Sequence, residues 1–544
     1  MRTHKNVLLP FFTFVIICCV YISFCINVHT WESYFYAGSI DNFIPVSDMA
    51  PPGQDLSIPY NDLICIYYTQ HPLLYFGVYF VHMVFPDINP LNIAQTFNMI
   101  LGIIGFWGVY LILQKLFNDI ILSCLGVLLI SFIDVYWYQS LSGEVYIGAF
   151  SFLSLSFYSL LNVNYSDQHK ISKEFLNMSL FYGIAVWFHL YGSIFGLIVA
   201  FDILKNNALL RTRLFYLMIF CIISAIFFIT AYVLPYLIFT SVNTFSTLST
   251  LLFIHSTIWG IWQIPDHLMP VEIIFSIFTG FKHNLYAIIS GNELSVNIIR
   301  TFIGIWVGIH FIRYLITPQK NRILNLCLLW FSSYFLVLTT LIHVPNVNDN
   351  WCLSLFSLVL FILYSYRSFL ISSKGKLLIG FLALMLLMIN GTNDVFPKNC
   401  VPNKSFFVAD GLKEKISSYE SILFMGNHNI LSQAWNIFYM GKMKASQLRY
   451  LHPPYEYSII VQYQKDLLKI VNTALKHNDK MLLISAENDQ YVRLSIHLLQ
   501  SKGFNVQPIF QKKISVNPKI YKVALGIIKE TFELKYVAYQ ISIR

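Results

Sequence analysis

Long apolar runs recur along the chain from residue 7 to about residue 391, separated by short polar stretches that hold nearly all of the charge. Runs of about 17 to 25 residues cross a hydrocarbon core about 30 Å thick as helices, since a helix satisfies its own backbone where water is absent. The pattern predicts spans at about 7–28, 92–113, 119–136, 145–161, 175–188, 190–204, 214–239 and 300–316. A further span ends before "HVPNVNDNW", the next returns to Arg367, and the last covers about 377–391, which makes about eleven. From 392 to 544 the pattern becomes one of short apolar strands and charged helical stretches, as in a water-soluble α/β domain. Strands are expected at "SILFMG", "YSIIVQY", "KMLLISA", "NVQPIF" and "YKVALGII", and helices at "ILSQAWNIFYMG", "QKDLLKIVNTALKH" and "QYVRLSIHLLQSKG".

Basic residues orient these spans, because short loops carrying Lys or Arg stay on the cytoplasmic side. Arg2 and Lys5 precede the first span, and no further Lys or Arg occurs until Lys115, although Glu32, Asp41, Asp48, Asp55, Asp62 and Asp87 lie between. A loop at about 29–91 therefore faces outward. Later basic groups (Lys170 and Lys173; Lys205, Arg211 and Arg213; Arg313, Lys320 and Arg322; Arg367, Lys374 and Lys376) fall at every second boundary. A second outer loop, about 240–299, carries Lys282 as its one basic residue before Arg300. The N-terminus is expected inside and the α/β domain outside. "HPLLYFGVYFVHMVF" (residues 71–85) lies within the first outer loop and is short for a span, so it is read as a helix in the membrane interface.

Composition agrees. Of 544 residues, 56% are hydrophobic and 12% charged, against about 25% charged in soluble proteins. The net charge of +9 is spread over many loops without a dense cluster, which argues against nucleic acid as a partner. The nine cysteines contain no CxxC pair and sit mostly in apolar runs, so they define neither a metal site nor a disulfide framework.

Two acidic residues adjoin outer span ends: Glu32 in "HTWESYFYAGSIDNF" and Glu144 in "SLSGEVYIG". Ionisable groups at membrane depth cost a few kcal/mol on insertion scales and usually face a cavity or a pathway, so the two are candidates for one site.

The order of these features, with "LILQKLFND" at a cytoplasmic turn and "YWYQSLSGEVYIGAF" at the next outer one, resembles the GT-C superfamily of membrane glycosyltransferases. The protein O-mannosyltransferases and the lipid A aminoarabinose transferases belong to it. "FYGIAVWFHLYGSIFG", with Gly183 and His189, is similar to a short hairpin of mannosyltransferase-like members. The resemblance covers residues 7–205 by motif and the later spans by arrangement.

It implies a GT-C-like transmembrane domain over 1–391 and an outer, periplasmic or lumenal α/β domain over 392–544. It places Glu32 at the loop-one catalytic acid, usually Asp, with Asp41 and Asp48 as rivals for that role. His71 and Pro72 stand where the family has His-Pro-Pro, and Glu144 stands at its second outer acidic position. The "HVPNVNDNW" stretch lacks the Arg that many relatives carry there. The implied reaction transfers a sugar from a polyprenyl-phosphate-linked donor to a lipid, glycan or protein acceptor. Glu32 would take the acceptor's proton, and Lys282 and Arg300 would meet the departing phosphate. His189 and His71 are further substrate-binding candidates, and a divalent cation held by Glu32, Glu144 and an outer Asp is chemically reasonable. No Gly-rich phosphate loop or nucleophile motif occurs after residue 392, so that domain is read as acceptor-binding or scaffolding. A flippase for lipid-linked glycans is the alternative from another class. The usage of Ile, Asn, Lys and Phe favours a bacterial inner membrane over an endoplasmic reticulum.

Overall fold

A computed structural model describes residues 2–25, 40, 72–165, 171–234, 270–291, 293–316, 321–341, 351–395, 419, 422–425, 448–451, 460–477, 480–486, 490–516 and 532–543. The helices before residue 396 are α1 (Arg2–Ser23), α2 (Pro72–Val84), α3 (Pro90–Phe117), α4 (Ile120–Ser131), α5 (Asp134–Leu141), α6 (Tyr146–Leu160), α7 (Lys173–Phe188) and α8 (Phe195–Lys205). They continue as α9 (Leu210–Phe228), α10 (Pro270–Ile288), α11 (Leu294–Ile316), α12 (Arg322–Leu336), α13 (Cys352–Ser365), α14 (Arg367–Leu370) and α15 (Ser373–Asn390).

Each apolar run read as a span contains helix. Among the described residues, five helices are individually long and apolar enough to cross a membrane: Pro90–Phe117, Leu210–Val233, Leu294–Tyr314, Arg322–Thr339 and Ser373–Val395. Their outer surfaces are what lipid requires. On α9, Leu210, Leu214, Met218, Ile222 and Ile226 recur every fourth residue and are all exposed, as are Phe302, Ile305, Ile309, Ile312 and Ile316 on α11. Apolar stripes of this extent would be a liability in water and are satisfied by acyl chains.

Two expectations change. The run at 119–136 is not one straight span: α4 and α5 meet at a bend of 71° around Phe132 and Ile133. The expected outer loop at 240–299 contains α10, and α11 begins at Leu294 instead of residue 300. α10 carries Lys282, His283 and Asn284 among its apolar residues, which masks its periodicity in the sequence.

Close packing in the bundle uses small residues. Gly102, Gly105 and Gly108 lie along one line of α3 and face Ser140, Ser151 and Ser154. A Cβ at Gly105 would stand 2.8 Å from the Ser151 hydroxyl, and Ser151 and Ser154 donate to the Leu101 and Gly105 carbonyls at 2.5 and 3.1 Å. Small residues let two backbones approach where no water drives association, and the hydroxyls add hydrogen bonds across the seam.

Polar cross-links gather at two opposite ends of the helices. At one end Lys115 donates to Asn162, Lys376 pairs with Asp119 at 2.5 Å, and Tyr314 donates to Asn325. Arg322 grips both carboxylate oxygens of Asp202 at 2.7 and 2.6 Å and also donates to the Leu160 carbonyl. Tyr165 donates to the same carboxylate at 3.0 Å, and burial, followed by the Asp202 charge, pushes its phenol up. The other end holds Gln95, Asn98, the α4–α5 bend, the 142–145 loop, His189, Arg300 and Asn390.

The sheet elements are β1 (Ile422–Met425), β2 (Leu448–Leu451), β3 (Lys480–Ala486), β4 (Phe504–Val516) and β5 (Phe532–Ile543), with α16 (Ile460–His477) and α17 (Gln490–Ser501). Strand order is β2-β1-β3-β5-β4, parallel among the first three and antiparallel at β5 and β4. Leu467, Val471 and Leu475 of α16 share a core with Val492 and Leu499 of α17 and with Leu423, Met481, Leu483 and Ile541 of the strands. The expected strand "YSIIVQY" is a correction, since Ile460 to Tyr463 form the first turn of α16. Its β-branched residues read as strand locally, but they continue an amphipathic helix, and tertiary context overrides propensity. β2 and β5 have no counterpart among the expected strands, and "ILSQAWNIFYMG" and "YKVALGII" lie outside the described residues.

Candidate active site

The site is built on the turn Ser142–Val145 between α5 and α6. Its approach is fixed by α5, whose residues Val135 to Leu141 are all buried. The bend that aims α5 is tied by Asn390 at the end of α15. The Asn390 amide donates to the Phe132 and Ile288 carbonyls at 2.8 and 2.9 Å and accepts from the Ser290 N–H at 2.9 Å. Tyr21 donates to the Ser131 carbonyl at 2.7 Å, and its ring stacks on Trp137. Tyr136 donates to the Cys352 carbonyl at 2.9 Å, fixing α5 to α13.

Four consecutive carbonyls of the turn are held by side chains from other helices. Gln95 of α3 donates to Leu141 at 2.5 Å, and Asn98, one turn further on, donates to Ser142 at 2.7 Å and to Glu144 at 2.5 Å. Tyr75 of α2 donates to Gly143. The Glu144 N–H adds a local bond to the Ser142 hydroxyl. A polypeptide segment clamped at every carbonyl has little backbone freedom, so the direction of the Glu144 side chain is set by the fold. Glu144 itself is 3% exposed.

The next residue but one, Tyr146, stacks on the His189 ring at 4.4 Å, and Tyr191 covers the same ring at 4.6 Å. His189 occupies the extended break between α7 and a short 3-10 turn, Leu190–Ile194, and is fully buried. Its Nδ1 accepts from the Tyr191 N–H at 3.0 Å, which in a neutral imidazole leaves the proton on Nε2 as a donor. The structure thus brings His189, 45 positions away in the sequence, onto the ring of Tyr146, two residues beyond Glu144.

Two buried amides lie on the helices that frame the turn, Asn98 on α3 and Gln139 on α5. Asn98 spends its NH2 on the turn, leaving Oδ1 without a protein partner, and neither amide atom of the fully buried Gln139 has one. Buried polar groups are paired in the great majority of cases, so each exception calls for a partner such as water or a ligand.

Lys282 and Arg300, expected as phosphate contacts, flank one ring: their charged groups lie 5.7 and 3.7 Å from the centre of Tyr286. Lys282 is exposed, whereas Arg300 is 3% exposed and braces the α10–α11 turn. Arg300 donates through Nε and Nη2 to the Ile289 carbonyl at 2.9 and 2.5 Å, and through Nη1 to Asn297 at 3.0 Å. Asp134, which opens α5, acts on Arg300 electrostatically. Asp134 and the Glu144 turn lie at opposite ends of α5, a helix of eight residues and about 12 Å.

Glu32, Asp41, Asp48 and His71 lie outside the described residues. Among the described residues, no three His, Cys, Asp or Glu side chains converge as a metal site would require. Sequence reading missed Gln95, Asn98, Gln139 and Tyr75. The signal available was two amides spaced i, i+3 near one end of an apolar helix, facing inward together.

No protein-family model matches the chain, and no curated protein matches its sequence. The oligosaccharyltransferase of Archaeoglobus fulgidus, solved as a complex with zinc and sulfate, overlays with a TM-score of 0.47 at 12% identity, over 87% of this chain and 67% of its own. ArnT from Cupriavidus metallidurans in the apo state overlays with a TM-score of 0.44 at 10% identity, over 99% of this chain and 98% of its own. The arabinofuranosyltransferase AftD from Mycobacteria gives 0.43 at 9% identity, over 98% of this chain and 40% of its own.

Proposed function

We propose that this protein is a membrane glycosyltransferase that moves a sugar from a polyprenyl-phosphate-linked donor to a lipid, glycan or protein acceptor at the non-cytoplasmic face. The observation that carries the reading is the clamped turn: a buried carboxylate on a rigid backbone, adjoined by amide groups without protein partners. Such a site suits a polyhydroxyl ligand, which supplies donors and acceptors to match.

In the reaction the acceptor hydroxyl attacks the anomeric carbon, its proton passes to a carboxylate, the bond from that carbon to the phosphate oxygen breaks, and the phosphate leaves with the electron pair. Glu32 takes the proton, with Asp41 and Asp48 as rivals, and Glu144 holds the positive character that develops on the sugar ring. A single displacement of this kind inverts the anomeric centre. His189, through Nε2–H, and His71 donate to donor or acceptor oxygens. The exposed Lys282 meets the phosphate, and Arg300 keeps Tyr286 and the turn beneath Lys282 in place.

The end of the bundle bearing Lys115, Arg313, Arg322, Arg367, Lys374 and Lys376 then faces the cytoplasm, in line with the retention of basic loops on that side. In this reading the chain spans the membrane about eleven times, with a transmembrane domain over 1–391 and an acceptor-binding α/β domain over 392–544 outside a bacterial plasma membrane.

The test is transfer of radiolabelled sugar from a polyprenyl-phosphate donor by purified protein. Glu144→Gln and Glu32→Gln are each expected to lower kcat by roughly 10²- to 10⁴-fold. Full transfer by both variants would remove the proposed site. Movement of the intact glycolipid between leaflets, without transfer, would favour a flippase.

A further inference from the structure

At the end of the bundle opposite Glu144, a pocket of about 200 Å³ is walled by His310, Arg313, Tyr314, Ser365 and Tyr366. Tyr366 also lines a second cavity of about 600 Å³, which runs between α4, α11, α13 and α15 and is walled almost wholly by aliphatic side chains, among them Ile303, Val307, Leu358 and Leu382. Its wall reaches from Phe369 and Leu370 at the basic end to Ile288 and Ile289 at the other. The junction is aromatic: Trp306, His310 and Tyr366 stack on one another with ring centres 4.7 to 5.3 Å apart. A small polar chamber and a larger apolar chamber therefore adjoin at one aromatic wall, to which Tyr366 contributes on both sides.

We propose that the two cavities together bind one phospholipid with an anionic headgroup, drawn from the leaflet at the basic end. The headgroup phosphate would occupy the polar chamber against Arg313, and an acyl chain would lie in the apolar one. Charge selects this occupant. Arg313 lines the chamber, and Arg367, Lys374 and Lys376 lie on the neighbouring segments, so an anion is drawn to this end and a cation is repelled. The apolar volume falls within the roughly 300 to 1,000 Å³ of ordinary ligand sites, and its aliphatic lining, open at Trp306, Phe369 and Leu378, suits a hydrocarbon chain entering from the bilayer. The donor of glycosyl transfer is a different occupant, because its phosphate must reach the Glu144 end for reaction. The inference holds whether or not the chain transfers sugar.

Native mass spectrometry of the full chain in neutral detergent, with added palmitoyl-oleoyl phosphatidylglycerol, tests it. Wild type is expected to retain one molecule, while the diacylglycerol with the same chains is lost on activation. Arg313→Gln is expected to weaken retention roughly tenfold, the scale of one charge-assisted hydrogen bond. Val307→Trp, which fills the apolar chamber and leaves Arg313 in place, is expected to do the same. Equal retention by wild type and by correctly folded Arg313→Gln would overturn the proposal, as would equal retention of the diacylglycerol. Displacement of phosphatidylglycerol by an equimolar amount of undecaprenyl phosphate would overturn the choice of a phospholipid. If Arg313→Gln does not fold, Val307→Trp decides: loss supports the site and full retention overturns it.

Discussion

Asn98 shows how much one side chain can carry in this protein. It is fully buried on α3, gives its amide N–H donors to carbonyls of the Glu144 turn, and leaves its own carbonyl oxygen without a protein partner. It acts on Glu144 through the backbone, so it is a positioning residue, and its loss should show in turnover. Asn98→Leu is expected to lower kcat by about 10²-fold with little change in donor KM, the scale of an ångström-level misplacement of a reacting group. Tyr75→Phe removes one bond of the same clamp and should cost less, about tenfold. Steady-state kinetics separates the outcomes, and a loss confined to KM would place these residues in uniform substrate binding instead.

Among the elements, the seam between α4 and α15 couples the two ends of the bundle. Asn390 closes it near the site, and the Asp119–Lys376 pair closes it at the basic end. Asp119 also caps α4 by accepting from the Leu122 N–H at 3.0 Å. Burial pushes its carboxyl up, but the backbone donors of Leu122 and Ile121 and the Lys376 ammonium outweigh that and hold it below the ordinary carboxylate range. A carboxyl lowered by folding contributes stability that is complete above its unfolded value, near 3.9, and is lost as pH falls through the folded one. Thermal melts of wild type should therefore fall below about pH 4, and Asp119→Asn should be less stable at pH 7 and flatter across the acid range. A variant that melts as wild type does at every pH would show that the pair contributes nothing.

Across the whole molecule, the two ends differ in kind. One gathers basic side chains in ion pairs and helix caps, and the other gathers buried amides, a buried carboxylate and a histidine. If the basic end is cytoplasmic, a membrane-impermeant thiol reagent applied to intact cells should label Lys502→Cys, on the α17–β4 turn, and leave Lys374→Cys unlabelled until the cells are opened. The reverse pattern would invert the orientation and remove the proposed site from the outer face.

The sequence by itself determined the apolar segments, their polar boundaries, the grouping of basic residues and the amphipathic faces of α16 and α17. These follow from burial and periodicity, which are local properties of the chain. It also singled out Glu144, His189, Lys282 and Arg300 as unusual residues for their setting. Tertiary structure decided what they do for one another, because each relation joins distant parts of the chain. Only the fold put His189 on the ring of Tyr146, beside the Glu144 turn, and Lys282 and Arg300 on Tyr286. The 71° bend before α5 is marked in the sequence only by Asp134, and the asparagine that takes up the Phe132 carbonyl there is 258 residues away. Hydrophobicity tells a segment that it is buried, and the hydrogen bonds made across the bundle decide where it turns.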